Sequence, residues 1–299
     1  MDIKKLLFIY NPSAGKSLIK PYISDIADIF FKGGFESVVL PTQARGFCRD
    51  YIAQNGARFD IVAVSGGDGT LNEAVSGLMA IDEKSRPALG YIPSGTTNDF
   101  AASTGIEKEF LAASSAIAGG KSVKIDVGKF NDKYFSYIAA FGAFTDVAYD
   151  TPQEVKNIFG HAAYIMEGIR RLPTIKPRKM KVKTDECEFE DEFIFGMVTN
   201  TLSVGGLRAL EGFDVDLNDG LFEVIFVRAF ETPLDINTLL TDLKNKVYDS
   251  KHYIAFKTKR LEISSHENIA WTLDGEFGGE HTEAEIFNLH SAIDLRIEK

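Results

Sequence analysis

The sequence predicts two domains of different character. The first is an α/β N-terminal domain with a mostly parallel sheet, residues 1–123. The second is a predominantly antiparallel, β-sandwich-like C-terminal domain, residues 124–299. Three observations predict them. A chain of 299 residues is long for one hydrophobic core. Up to Val123 apolar strand patterns alternate with helical ones, and beyond it strands dominate. No low-complexity linker separates the halves, so they are expected to pack closely, and the last residues are candidates for return to the first domain.

The first domain reads element by element. Leu6–Tyr10 is an apolar run, the first buried strand. Helical periodicity follows from about Ile19 to Lys32, then a strand at Ser37–Leu40, a helix at Ala44–Asn55 and a strand at Ile61–Ser65. Asn72–Met79 is helical, Ala88–Ile92 is strand and Asn98–Thr104 is helix. Strands separated by helices need right-handed crossovers, which builds a parallel sheet covered on both faces.

In the second half, strands are expected at Lys124–Phe130, Tyr134–Ala140, Lys179–Thr184, Phe193–Asn200, Leu221–Arg228, Tyr253–Thr258, Arg260–Ser265 and Trp271–Leu273. Turns at Asn131-Asp132 and Asn218-Asp219-Gly220 punctuate them. Helices at about Gly160–Arg171 and Leu234–Asp249 interrupt the run.

Composition bounds the partners. Hydrophobic residues make up 44% and charged residues 25%, ordinary for a globular protein. Lys plus Arg number 33 against 43 for Asp plus Glu, a net charge of −10. Such a chain has no bulk attraction for nucleic acid, and no nucleic-acid partner is expected. Cys48 and Cys187 form neither a metal spacing nor a disulfide framework, which fits a reducing, cytoplasmic compartment. Each is expected to be a buried small apolar side chain. No secretory signal opens the chain, and the longest uncharged stretches, Tyr134–Thr145 and Phe193–Leu207, are too short to span a bilayer.

The chemistry sits in three loops at the expected strand ends. Asn11-Pro12-Ser13-Ala14-Gly15 follows the first strand. Gly66-Gly67-Asp68-Gly69-Thr70-Leu71-Asn72-Glu73 follows the third, and Pro93-Ser94-Gly95-Thr96-Thr97-Asn98-Asp99 the fourth. Ligands of parallel α/β sheets bind beyond the carboxyl ends of the strands, so these loops can share one crevice. Backbone N–H groups reach phosphate oxygens only where no Cβ blocks them, and a following helix adds a positive dipole end. Thr70 and Asn72 add a hydroxyl and an amide. Asp68 would repel a polyphosphate unless a cation lies between them, which marks it as a Mg²⁺ partner. A tight strand-to-helix turn with Asp68 as a helix cap is the structural alternative. Two better-known motifs fail: in Gly15-Lys16-Ser17 the first Walker glycine would fall on Tyr10, and a dinucleotide fingerprint starting at Gly67 meets Asn72 at its third glycine.

These loops resemble the catalytic domain of the diacylglycerol kinase family, above all its soluble bacterial lipid kinases. Gly66-Gly67-Asp68-Gly69-Thr70 is shared with NAD kinases and phosphofructokinases. Pro93-Ser94-Gly95-Thr96-Thr97-Asn98-Asp99-Phe100 narrows the likeness to lipid kinases. So do Ile125-Asp126-Val127-Gly128, Asn218-Asp219-Gly220-Leu221 and Leu273-Asp274-Gly275-Glu276. The resemblance implies an ATP-dependent, Mg²⁺-using kinase that phosphorylates a lipid hydroxyl such as that of diacylglycerol. It puts the nucleotide against Asn11, Pro12, Ser13, Ala14, Gly15, Thr42, Gly66, Gly67, Asp68, Gly69, Thr70, Leu71, Asn72 and Thr96. Asp68, Asp99 and Asp126 would organise the catalytic Mg²⁺. Asp274 and Glu276 match the positions of the general base, and Asp274, the shorter side chain at a tight turn, is favoured. Asp216, Asp219 and Leu221 match a second, structural metal site, with carbonyls from positions 216 and 221.

With the phosphate loops in one half and the base in the other, the active site is expected in the interdomain cleft. The partners expected are a lipid alcohol and, transiently, a membrane surface, the protein being cytoplasmic and peripheral during turnover. A homodimer stays open beside a monomer. Arg170–Lys183 holds Arg170, Arg171, Lys176, Arg178, Lys179, Lys181 and Lys183 without an acid, a candidate surface for anionic headgroups. The alternation of Lys179, Lys181 and Lys183 with Met180 and Val182 equally suits an exposed strand face. Tyr164, Ile165 and Ile169 are candidates for an acyl-chain pocket or plain core. Two readings compete with a lipid kinase: an NAD or sugar-phosphate kinase of the same superfold, and a non-catalytic nucleotide-binding regulatory module. The Pro93–Phe100 loop and the late Asp-Gly-Glu weigh against the first. Asp68, Asp274 and Glu276 together weigh against the second.

Overall fold

The structure, a computed structural model, describes residues 3–15, 17–142, 175–201, 215–230, 232, 235–245, 247 and 250–298. Lys16, the expected helix at Gly160–Arg171 and the candidates Tyr164, Ile165 and Ile169 lie outside them. The chain divides into two compact units, Met1–Val127 with His290–Lys299 and Gly128–Leu289.

The first unit is built on a parallel sheet. Strand β1 (Lys4–Tyr10) lies between β2 (Phe35–Pro41) and β3 (Ile61–Gly66), and β4 (Ala88–Pro93) follows β3, all parallel. Alternation along β1 serves two faces. Leu6 and Phe8 join a core with Ile26 and Phe30 of α1 (Ile23–Lys32) and with Ala113 and Ile117 of α5 (Phe110–Gly119). Leu7 and Ile9 are buried on the opposite face. Helix α2 (Phe47–Asn55) packs on α3 (Asp68–Met79), with Cys48, Ile52, Leu71, Ala74, Val75 and Leu78 buried. Each fully buried Leu, Ile or Phe contributes about 1.5–3 kcal/mol.

The C-terminal tail closes this sheet. Leu295 pairs in parallel with Leu89 of β4. Arg86 fastens the tail by donating to the carbonyls of Leu78 and Ile81 (3.0 Å each) and of Ala292 (2.5 Å).

Three local differences from the sequence reading have physical causes. Pro21 sets a 3₁₀ turn over Lys20–Tyr22, so α1 starts at Ile23 rather than Ile19. Helix α3 starts at Asp68, not Asn72, because Gly69 falls in the first turn, where no intrahelical N–H bond exists to be weakened. Helix α5 was not expected: its small-residue run Ala-Ala-Ser-Ser-Ala-Ile-Ala has little apolar-polar contrast. Glu109 caps it, accepting from Leu111 N (3.2 Å) and Ala112 N (2.6 Å).

The second unit is antiparallel. Its strands follow the order β11 (Tyr253–Thr258), β10 (Phe222–Arg228), β9 (Glu188–Thr199), β7 (Ile138–Gly142), β12 (Arg260–Leu273) and β13 (Glu276–Ile297). Strand β8 (Arg178–Lys183) pairs with both β9 and β12. The end of β5 (Lys121–Phe130) makes a hairpin with β6 (Lys133–Phe135). Helix α6 (Asp235–Lys244) is shorter than expected. Phe130, Phe141, Phe193, Phe226 and Trp271 form an aromatic centre, with ring centroids 4.9–5.8 Å apart.

The two pieces expected at Arg260–Ser265 and Trp271–Leu273 are one strand, and β13 was not foreseen, since Gly278-Gly279 and seven carboxylate or His positions break its alternation. The expected strand Tyr134–Ala140 is split at Ser136-Tyr137, whose amides turn to a side chain described below. Cys48 is buried as expected, but Cys187 is exposed in the β8–β9 turn, where its N–H donates to Thr184 Oγ1 (3.0 Å).

Candidate active site

In the first unit the three loops at the ends of β1, β3 and β4 meet. Asn11 N–H donates to the Ser65 carbonyl (2.8 Å), Ser94 N–H to Gly66 (2.9 Å), and Thr42 N–H to Tyr10 (2.8 Å). Asn11 Nδ2 reaches Thr70 Oγ1 (3.4 Å), and the Ser65 and Ser94 hydroxyls bond at 3.1 Å. The loops approach so closely that side chains are excluded. A Cβ at Gly95 would stand 2.5 Å from Gly67 Cα, and one at Gly15 2.5 Å from the Ser94 carbonyl oxygen. Asn11, Pro12, Ser13, Ala14, Gly15, Thr42, Gly66–Asn72 and Thr96 therefore gather at one end of one sheet. Leu71 is buried in the core, so only its backbone faces the loops.

Two organising residues of this site were missed in the sequence. Asn98, with φ +56°, donates its N–H to Asp68 Oδ2 (3.1 Å) and its Nδ2 to the Gly95 carbonyl (2.9 Å). Its Oδ1 accepts from Gly95 N (3.0 Å). Tyr91, on β4, brings its hydroxyl within 3.1 Å of both Asn98 Oδ1 and the Gly66 carbonyl. Burial, then Asp68 and Asp99, push the Tyr91 phenol well above its ordinary value. Asn98 was visible inside a motif; a tyrosine in an apolar strand carries no signal. Glu73, quoted in the motif without a role, accepts from Gly46 N (2.7 Å) and Cys48 N (3.2 Å) at the start of α2.

The three acidic candidates of this unit differ in setting. Asp68 opens α3, half-buried, and Asp99 opens α4 (Asp99–Thr104), 2% exposed. Both carboxylates lie near the Tyr91 phenol. Asp126 is buried on β5, where its Oδ1 accepts from Ser291 N (2.7 Å) and lies 3.0 Å from His290 Nδ1, so it also anchors the returning tail. Among the described residues no group of three or more His, Cys, Asp or Glu side chains forms a metal cage. Mg²⁺ is commonly held by one or two carboxylates plus substrate phosphates, and this donor set suits that arrangement.

In the second unit, Asp274-Gly275 is the two-residue turn between β12 and β13, with φ of +50° and +83°, as a type I′ hairpin requires. Asp274 is 4% exposed. Its carboxylate accepts from Ser136 N (2.6 Å), Tyr137 N (3.0 Å) and Ile138 N (3.1 Å), which is why the strand there is split. Glu276, two residues on, is exposed.

Asp216, Asp219 and Leu221 lie in the turn before β10. Asp216 Oδ1 accepts from Asn218 N (3.0 Å) and Asp219 Oδ1 from Leu221 N (2.9 Å). Lys257 Nζ is 3.1 Å from Asp219 Oδ2 and 3.2 Å from Glu223 Oε1. Burial pushes the Glu223 carboxyl up to about 7 despite Lys257.

The described part of the basic stretch is paired with acids. Lys176 and Arg178 meet Glu267, Lys179 meets Glu190 (2.5 Å), Lys181 meets Glu188 (2.7 Å) and Lys183 meets Glu262 (3.3 Å). Arg170 and Arg171 lie outside the described residues. Replacing Lys176, Arg178 and Lys179 with Gln should change binding to anionic vesicles less than roughly twofold, since each of the three already faces an acid. A large loss of binding with a flattened salt dependence would restore this face as a docking surface. No helix of the described residues is long and apolar enough to cross a membrane.

Comparison with known proteins agrees with this layout. Residues 5–130 match the family described as diacylglycerol kinase catalytic domain, and residues 141–287 match the YegS C-terminal NAD kinase beta sandwich-like domain. A diacylglycerol kinase of Bacillus subtilis (strain 168) is 34% identical, covering 99% of this chain and 97% of its own. One of Staphylococcus epidermidis (strain ATCC 12228) is 33% identical over 98% of this chain and 92% of its own. The crystal structure of a diacylglycerol kinase from Bacillus anthracis str. Sterne shares the fold, with TM-score 0.76 and 24% identity over 100% of this chain and 98% of that one. With likeness of this degree over nearly its whole length, the chain belongs to the diacylglycerol kinase catalytic-domain family.

Proposed function

We propose that the chain transfers the γ-phosphoryl group of ATP to the hydroxyl of a membrane lipid, diacylglycerol being the acceptor that its relatives' names indicate. The observation that carries this is the convergence of the three loops at the ends of β1, β3 and β4, in a chain with a second, kinase-family domain. Main-chain N–H groups of the Gly66–Asn72 segment and the start of α3 would hold the phosphates. Asn11 and Thr70, already in contact, would flank them. Asp68, Asp99 and Asp126 would hold Mg²⁺, partly through water, and the ion would supply charge neutralisation at the phosphate oxygens when bound. Asn98 keeps Asp68 turned by its N–H.

For the general base the geometry favours Glu276 over Asp274. Three main-chain donors engage the Asp274 oxygens, so this carboxylate builds the turn, whereas Glu276 stands exposed at its end. Glu276 would accept the proton of the attacking hydroxyl, and the acceptor must bring that hydroxyl within hydrogen-bond reach of it. Work on a membrane lipid implies transient contact with a bilayer surface.

The test is a Mg-ATP kinase assay over a panel of lipid alcohols in mixed micelles, with NAD and sugar phosphates as controls. Phosphorylated diacylglycerol, monoacylglycerol or a sphingoid base is the expected product. Phosphorylation of NAD with no lipid product would sink this reading.

A further inference from the structure

We propose that Lys257, rather than a bound metal, supplies the positive charge that holds the Asp216–Leu221 turn. The family resemblance implies a structural cation on Asp219 with the carbonyls of positions 216 and 221. This chain answers that need from within. Asp219 is the one carboxylate in that set. One of its oxygens accepts from Leu221 N at 2.9 Å, and the other faces the Lys257 ammonium at 3.1 Å. Leu221 C=O accepts from Asn288 Nδ2 at 3.1 Å. Asp219 and Lys257 are only 24% and 30% exposed at their side chains, so the pair is partly desolvated and firmly placed.

Register explains why the lysine stands there. Lys257 on β11 is the cross-strand partner of Glu223 on β10, and Glu223 is fully buried. Sheet pairing thus fixes one ammonium between two carboxylates, and that ammonium bridges the strand to the turn. A Mg²⁺ ion bound to Asp219 Oδ2 at roughly 2.1 Å would lie within about 5 Å of the Lys257 nitrogen, which is 3.1 Å from that oxygen. At that distance, in a partly buried site, the dication and the ammonium repel strongly. Mg²⁺ also favours several oxygen donors in near-ideal octahedral array, and here both Asp219 oxygens and the Leu221 carbonyl already serve protein groups.

The experiment is thermal unfolding of the nucleotide-free full chain in EDTA and in millimolar MgCl₂. Asp68→Ala is used as the background to weaken the nucleotide-site response to Mg²⁺, and the same melts of Asp68→Ala with Asp219→Asn show how much of any remaining response belongs to this turn. The two melting curves should coincide, and a Mg²⁺-dependent rise in Tm that Asp219→Asn removes would overturn the proposal. In EDTA, Lys257→Met should lower Tm by roughly 5–10 °C, because it leaves the partly buried Asp219 carboxylate and the buried Glu223 carboxyl without the ammonium between them. Unchanged melting of Lys257→Met would overturn it too. Should Lys257→Met fail to fold, Lys257→Arg decides: it keeps the charge and should fold and melt near the parent, and a comparable failure of Lys257→Arg would count against the charge as the cause.

Discussion

Glu276→Gln should lower kcat by roughly 10²–10⁴-fold, the range for losing a positioned general base. The amide keeps the size of the side chain and removes only its capacity to take the hydroxyl proton. The dissociation constant of Mg-ATP should stay within a few-fold, because the proposed phosphate donors all lie on the first unit's loops. Tm should hardly move, since Glu276 is exposed at the end of a hairpin. Asp274→Asn should behave differently. Its carboxylate accepts three main-chain N–H bonds, and an amide oxygen replaces only one of its two acceptor atoms. The other position becomes an NH₂ group facing an N–H donor, a buried clash expected to cost about 1–3 kcal/mol. So Asp274→Asn should lose stability as well as turnover, while Glu276→Gln loses turnover alone. Steady-state kinetics and thermal melts on the two variants separate these outcomes. If Glu276→Gln kept at least a third of wild-type turnover, the base would have to be sought elsewhere.

What was legible in the sequence follows from how local each cause is. The three converging loops could be read because each is a contiguous run whose glycines answer a local steric need, and the strand-helix alternation before Val123 is local periodicity. The role of Asp274 could not be read. Its three donors lie 136–138 positions away along the chain, and only the fold brings them to the turn. The same holds for Lys257, which meets Asp219 38 positions away through the pairing of β10 and β11. The basic stretch could not be weighed from the sequence for a related reason: a run of like charge looks unbalanced until the neighbouring strands, with Glu188, Glu190 and Glu262, are placed beside it. Strand β13 escaped because its alternation is interrupted by Gly278-Gly279, where the pairing with β12 shifts register, a feature that resembles a loop when read alone.

Asp68→Asn should reduce turnover by at least ~10³-fold, the scale of removing one electrostatic anchor in phosphoryl transfer. Asp68 opens α3, where the loop N–H groups and the helix end favour an anion, so a polyphosphate and this carboxylate compete for the same positive field. The combination is sensible only if a cation joins them, and a neutral amide cannot hold that cation. Asn is a stricter choice than Ala because Asp68 Oδ2 accepts from Asn98 N at 3.1 Å, and an amide oxygen preserves that bond. The loop that carries Gly95 and Asn98 should therefore stay in place. Loss of a negative charge at a helix start costs about 0.3–1 kcal/mol, which for a chain of this size shifts Tm by only a few degrees. The residual activity should need more Mg²⁺ than the wild type, seen as a rightward shift of the Mg²⁺ titration at saturating ATP. A folded Asp68→Asn protein with near-normal turnover and an unshifted Mg²⁺ titration would leave Asp68 as a helix cap and nothing more.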